Sequence, residues 1–204
     1  MQDRIEVIGS TIRRCATSAT ILMLCAAAAN AEPAEYRIDP EHVAVAFLVG
    51  HAGYAKVLGQ FLEVEGSYTF DEETGALSDI EVVVNTASVF SNHDDRDDHL
   101  RSRDFLNSRR NSEMTFTADT GARTSERTFE VAGQLELLGV TRPLTLQATW
   151  NKSEDYPFGR SAYVMGVSAR GAILRSEFGM NYALDGDLVA DDVEIVIEFE
   201  ARRQ

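Results

Sequence analysis

The sequence predicts an all-β protein, folded as an extended antiparallel β-barrel of about eight strands with one surface helix. Three observations carry that expectation. Apolar and polar residues alternate with a period of two: Phe129, Val131, Leu135 and Leu137 interleave with Thr128, Glu130, Gln134 and Glu136, and Leu144, Leu146, Ala148 and Trp150 with Thr145, Gln147 and Thr149. Such a period gives each strand one buried and one wet face. No crossover helices separate the strands, so the sheet is antiparallel. So many one-sided strands need a common interior, which is obtained most simply by closing the sheet on itself, and a barrel of that size has room for a ligand.

The chain opens with Arg13 and Arg14, an apolar run from Ala19 to Ala29, and the small residues Ala29, Asn30 and Ala31. This is the layout of a cleavable export signal over residues 1–31, leaving 32–204 as one mature domain. The run is shorter than the about 20 apolar residues that span a bilayer, so no stable membrane insertion is expected. Leu24 stands before Cys25 where an acylated cysteine would follow a small residue, and Cys15 and Ala16 follow the arginine pair where a twin-arginine signal would place large apolar residues. Both cysteines fall in the leader, so the mature domain has neither thiol nor disulfide, although an export compartment would permit one. Its 16 Lys and Arg against 31 Asp and Glu leave a net charge of −15, which repels phosphate backbones and excludes nucleic acid as a natural partner. A solubility surface accounts for that acidity.

The strands follow in order. Tyr36–Ile38 and His42–Gly50 are expected as two strands broken by a turn at Asp39 and Pro40. In the second, Val43, Val45, Phe47 and Val49 form one face, while Ala44, Ala46 and Leu48 make the other nearly as apolar, as in a strand covered on both sides. Between Lys56 and Asp71 the apolar parity switches, which predicts a bulge or sharp bend near Phe61 to Glu63. Ile80, Val82 and Val84 mark the next strand, after a turn over Asp71 to Gly75. Ser91 to Arg110 is polar, with Leu100, Phe105 and Leu106 as anchors, and predicts one helix over Asp94 to Leu106 capped at Ser91 or Asn92. Strands resume at Met114, Phe116 and Ala118, then at Thr128 to Leu138. The connection Gly139 to Pro143 joins that strand to Leu144–Trp150 as a hairpin. A loop over Asn151 to Arg160 leads to Ser161–Leu174, and the last strand sets Val193, Ile195, Ile197 and Phe199 against Glu194, Glu198 and Glu200.

No nucleophile-elbow serine or phosphate-binding glycine loop is present. His93 and Asp97 would share a helix face at four-residue spacing and could hold a metal, but Arg96 between them opposes a cation, and a solvated face with intrahelical ion pairs accounts for the cluster better. Asn151, Lys152 and Ser153 form a glycosylation sequon. The aromatics Phe47, Phe61, Phe105, Phe116, Trp150, Phe158 and Phe178 suit either a packed core or the wall of an apolar cavity.

Four blocks of sequence resemble the YceI-like domain family. They are Tyr36-Arg37-Ile38-Asp39-Pro40-Glu41-His42 with Phe47, His51, Gly53, Val57, Gly59 and Phe61 behind it; Arg96 to Ser102 with Asp104 and Phe105; Leu135 to Leu144; and Gly171 to Met180. The resemblance implies a lipocalin-like barrel, usually periplasmic, that encloses a long polyisoprenoid such as a quinone or polyprenyl tail. The chain departs from the pattern after Phe105, where Ser108 to Ser112 replace a tyrosine-proline step, and at Val43, where a serine is usual.

The expected function is to bind and carry or sequester such a lipid in the periplasm, without catalysis and with no cofactor beyond a bound isoprenoid lipid or quinone. Phe47, Val49, Phe61, Phe116, Leu135, Leu146, Trp150, Phe178 and Met180 are expected to line the tunnel, and His51, His99 and Arg175 to lie near a rim where they orient a head group. Two alternatives use the same barrel without a bound lipid: a stress-related periplasmic enzyme, which needs His51 or His99 inward with a carboxylate partner, or an interaction module with a packed interior. Pairing of two chains as a homodimer is left open.

Overall fold

Eighteen consecutive residues, Ala34–His51, form the first strand, β1, on which the whole sheet is organised. In a computed structural model that describes residues 32–159, 162–186 and 188–204, it is followed by β2 (Ala55–Phe61), β3 (Val64–Phe70), β4 (Leu77–Asn85), β5 (Val89–Phe90), helix α1 (Asp94–Arg101), β6 (Glu113–Arg123), β7 (Thr128–Leu137), β8 (Val140–Asp155), β9 (Tyr163–Leu174) and β10 (Val189–Arg203). The expected leader, with Cys15 and Cys25, lies outside the described residues. All pairings are antiparallel, in the order β10-β9-β8-β7-β6-β4-β3-β1-β2-β5, and β10 pairs back onto β1 from Tyr36↔Arg203 to His51↔Val189, which closes the barrel. β2 and β3 occupy one edge of β1, against Val45–His51 and Ala34–Arg37 respectively. They act as a single bent stave, as do β4 and β5, so ten strands make eight staves.

The expected bend near Phe61–Glu63 is a full break. The backbone N–H groups of Leu62 and Glu63, released from the ladder there, both donate to Ser88 Oγ at 3.1 Å, so the break leaves no orphan donor. The expected split of β1 at Asp39–Pro40 is instead a bulge within one strand: its register against β10 slips between Ile38 and Val43. Pro40, which has no N–H, sits where the ladder needs none. The hairpin connection is shorter than the sequence suggested. Leu138 and Gly139 alone form it, at φ 58° and 73°, the left-handed pair that a two-residue turn requires. Pro143 lies inside β8 opposite Gln134, and β8 runs on to Asp155 where a loop was expected. The expected cover on the outer face of β1 is also lacking: Leu48 and its cross-strand partner Leu58 face outward side by side, and Leu58 is 60% exposed.

Helix α1 ends at Arg101, five residues before the expected stop, and its N-cap is His93, whose Nδ1 accepts from the Arg96 N–H at 3.3 Å. Asp94, Asp95 and Asp97 in the first turn suit the positive end of the helix dipole. Arg96 and Asp97 are tethers: Arg96 donates to the Ser91 hydroxyl at 2.7 Å and to its carbonyl, and the buried Asp97 carboxylate accepts from the Ser91 N–H at 2.7 Å and from its hydroxyl. His93 and Asp97 therefore do not form a metal site. An intrahelical pair, Arg101 with Asp98, is present as expected. Phe158, grouped by sequence with the core aromatics, is 72% exposed.

Candidate ligand-binding site

Each stave presents alternate residues to the interior. On β7 these are Phe129, Val131, Leu135 and Leu137, and on β10 Val193, Ile195, Ile197 and Phe199. Glycines on the same parity hold the wall back. Gly59 faces the ring of Phe47, Gly133 the ring of Phe116, and Gly171 the side chain of Leu146, each so close that a Cβ would come within 3 Å. Large side chains thus lie flat over glycines across the ladder, and the centre stays open.

The result is a cavity of about 240 Å³ that reaches from Ile38 to Val49 along β1. At about 3.3 Å per residue those positions are roughly 36 Å apart along the strand, while the volume lies just below the about 300–1,000 Å³ usual for small-molecule pockets. The void is long and thin. Its wall is hydrocarbon and thioether except for Tyr68, Trp150 and Arg175. Tyr68 Oη donates to Met165 Sδ at 3.3 Å, and burial, first of all, raises the Tyr68 pKa, so the hydroxyl stays neutral. Trp150 Nε1 is buried without a hydrogen-bond partner.

One end is shut. Tyr36 and Tyr68 stack at 5.4 Å, Phe70 meets Phe129 and Trp150 edge-on, and Tyr36, Met165 and Ala201 are almost wholly buried. Below them the Glu72 carboxylate, in the β3–β4 turn, accepts from the hydroxyls of Tyr36 at 2.6 Å, Ser153 at 2.6 Å and Tyr163 at 3.0 Å. Burial and then the Glu72 hydrogen bond raise the Tyr36 pKa. At the other end, the segment after α1 meets the β9–β10 connection. His99, Phe105 and Tyr182 form a cluster of rings 4.8 to 5.4 Å apart, and the Arg175 guanidinium stands 6.0 Å from the Phe105 ring. Among the described residues no hydrogen bond joins residues 93–111 to 175–190 across this seam.

Of the residues expected from sequence, Phe47, Val49, Phe61, Phe116, Leu135, Leu146, Trp150, Arg175 and Met180 line the cavity. Phe178, expected on the wall, is buried in the turn after β9 without reaching the lumen. Of the two histidines expected near a rim, His51 is exposed at the end of β1, and His99 lies in the ring cluster at the lumen's end, against Phe105 and Tyr182, with Nε2 2.9 Å from Asp104 Oδ2. The sequence did not single out Tyr68, Phe70, Met165 or Val167 for the wall, and left Phe105 between core and wall. Tyr68, Phe70 and Val167 continue alternations it already showed, whereas the inward turn of Phe105 depends on where α1 stops.

A second polar group lies on the outer wall. Asp39, His42 and Glu200 hold ligand atoms within 4.8 Å of one another, but Asp39 Oδ2 already accepts from Arg202 Nε at 3.0 Å and Nη2 at 2.7 Å and lies 3.0 Å from His42 Nδ1. This is an ion-pair network rather than an open cation site. Burial favours a neutral Asp39, yet hydrogen bonds from His42 and Arg202 outweigh it and hold the carboxyl below its ordinary range. The same hydrogen bond raises the His42 pKa.

Residues 36–201 match the model of the YceI-like domain. The chain belongs to the YceI-like family. It is 36% identical over 187 residues to protein YceI of Escherichia coli O157:H7, covering 91% of this chain and 95% of that one. The crystal structure of the Campylobacter jejuni YCEI protein superposes on this YceI-like barrel with a TM-score of 0.69 at 26% identity, over 76% of this chain and 90% of that one. A polyisoprenoid binding domain from Saccharophagus degradans, implicated in plant cell wall breakdown, shares the fold at a TM-score of 0.62 and 12% identity, over 85% of this chain and all of its own.

Proposed function

We propose that this YceI-like protein encloses the chain of a long isoprenoid lipid, of quinone or polyprenyl type, and carries or sequesters it through an aqueous compartment. The observation that carries this reading is the lumen: it follows β1 over roughly 36 Å, and among the described residues its lining carries three polar side chains, Tyr68, Trp150 and Arg175. A thin apolar void suits a flexible chain better than a compact ring system. Each methylene removed from water gains about 0.8 kcal/mol, so about ten enclosed carbons gain roughly 8 kcal/mol before ordering costs are subtracted. The polyisoprenoid-binding neighbour from Saccharophagus degradans supports the same reading.

The periplasm is the proposed location, on the strength of the leader sequence, and the acidic surface disfavours nucleic acid as a partner. An enzymatic role would place His51 or His99 inward beside a carboxylate; His51 faces solvent and His99 pairs with Asp104 outside the lumen, which favours binding over turnover. The test is native mass spectrometry and lipid extraction of protein purified from its own host. A co-purifying lipid with an isoprenoid chain is the expected result. Protein that is repeatedly empty and also refuses added quinone overturns the proposal.

A further inference from the structure

A tight turn stands just beyond the lumen wall, at the end of the barrel away from Glu72. Ala52, Gly53 and Tyr54 join β1 to β2: Ala52 and Gly53 take the left-handed backbone, at φ 47° and 71°, and the Tyr54 N–H donates back to the His51 carbonyl at 3.0 Å. The Ala52 N–H donates to the Leu188 carbonyl at 2.8 Å, which ties the turn to the β9–β10 connection. Beneath it His51 pairs with Val189, and Val49 and Val189 line the cavity. On this fixed support Tyr54 is 93% exposed and Leu188 55%. Leu174, at the same end of β9, and Tyr182 of the aromatic seam are exposed as well.

Single exposed apolar side chains are ordinary, but several around one end of an apolar lumen mark a contact surface. Charge singles out the same corner. From His42 to Leu62 the sequence has no Asp or Glu, although residues 32–204 carry 31 acids and about four would fall in a stretch of that length. The outward pair Leu48 and Leu58 continues the apolar surface from the turn along the wall. Lys56 is paired with Glu194, and Glu177 and Asp185 are exposed on the neighbouring connection, so the corner carries no surplus of cations. An anionic lipid surface would call for a basic face. Protruding Tyr and Leu without net positive charge instead match a zwitterionic bilayer, where tyrosine rings settle at head-group level and leucine reaches the acyl boundary.

We propose that the β1–β2 turn and Leu188 dock this end of the barrel on the surface of a zwitterionic phospholipid bilayer, so that a guest chain passes between lumen and membrane beside the aromatic seam without crossing water. This inference rests on the chain-enclosing function proposed above and adds the partner from which the guest is taken or to which it is given. One turn and one leucine reach only the interfacial layer, so the contact is peripheral and reversible.

The test floats protein purified from its own host with vesicles of phosphatidylcholine, alone or mixed with an equal part of phosphatidylglycerol, and follows transfer of a fluorescent polyisoprenoid between vesicles in parallel. Wild-type protein is expected to bind the phosphatidylcholine vesicles, undiminished by added salt, and to bind less when phosphatidylglycerol is present, because the mature net charge is −15. Tyr54→Ser combined with Leu188→Ser is expected to lower vesicle binding and transfer roughly tenfold or more, while uptake of the same lipid from cyclodextrin solution keeps its affinity. Phe158→Ser removes an exposed ring from the β8–β9 connection at the Glu72 end and is expected to change neither. Wild-type protein that ignores phosphatidylcholine vesicles overturns the proposal, as does a double variant that binds them and transfers lipid as before. Loss of a dimer in the double variant, seen by light scattering and with vesicle binding unchanged, also overturns it and makes the corner a seat for a second copy. If wild-type protein takes up no lipid from cyclodextrin, the enclosed-chain function itself falls, a result distinct from uptake without docking.

Discussion

The glycines facing Phe47 and Phe116 make the open centre of the barrel testable by two single-methyl additions. At Gly59 a Cβ would stand 2.2 Å from Phe47 Cζ, with only ring atoms as its nearest neighbours. The ring must retreat by about 1.3 Å to reach the roughly 3.5 Å of ordinary carbon contact, and it has empty lumen to retreat into. At Gly133 the Cβ meets the Phe116 ring at 2.6 Å and also the Thr117 carbonyl oxygen at 2.4 Å. That oxygen belongs to β6 and cannot move without distorting the ladder. Replacing glycine by alanine gains about 0.4–1 kcal/mol through the unfolded chain, and overpacking costs about 1–3 kcal/mol. Gly59→Ala should therefore come out near neutral in stability but weaken lipid binding, because Phe47 then occupies the guest's path. Gly133→Ala should lose about 2 kcal/mol, a fall in Tm of about 4–8 °C for a domain of this size. Urea unfolding gives the first quantity and displacement of a fluorescent lipid the second. Two results would refute the reasoning: Gly133→Ala as stable as the parent, or Gly59→Ala binding lipid with undiminished affinity. Either would mean that the rings do not need their glycine seats to keep the lumen clear.

Three further outcomes are expected. Glu72→Ala strands the Tyr36 hydroxyl at the closed end and should cost about 1–3 kcal/mol in chemical denaturation, whereas Glu72→Gln, which still accepts, should cost less. His42 should titrate in NMR above the ordinary histidine range, and Asp39→Asn should return it toward that range. Because its folded pKa is raised, the stability it contributes is complete below the unfolded value near 6.5 and is lost as pH climbs through the folded one; Asp39, with a depressed pKa, contributes above its unfolded value near 3.8 and is lost on acidification. Tyr182→Ala removes ring contacts worth about 0.5–1.5 kcal/mol each from the seam, so stopped-flow measurements should show bound lipid leaving roughly two- to tenfold faster, and an unchanged rate would place the exit elsewhere.

The barrel was legible because period-two alternation survives in nearly every stave, and the same parity placed Phe47, Phe116, Leu135 and Leu146 on the lumen wall. Elements governed by a single hydrogen bond were not legible. The stop of α1 at Arg101, the use of His93 as its cap, and the role of Asp97 in tethering Ser91 depend on local geometry that composition does not encode. His99 lies at the end of the lumen against Phe105 and Tyr182, but its pairing with Asp104 depends on the helix stopping at Arg101, five residues before the expected end. Arg175 was expected near a rim, but its burial and its three carbonyl partners exist only once β9 and β10 are folded around it.

The pairing of β1 with β10 has a further consequence for how the molecule is made. The first stave finds its second neighbour only in the last strand, the fifteen residues Val189–Arg203, so a nascent chain still missing that stretch has a gaping cylinder with two unsatisfied borders. Contacts of such sequence separation form late and slowly. The container comes into being in one closing event, and a version cut short at the carboxyl end would be expected to lose its capacity for cargo altogether rather than in proportion to the residues removed.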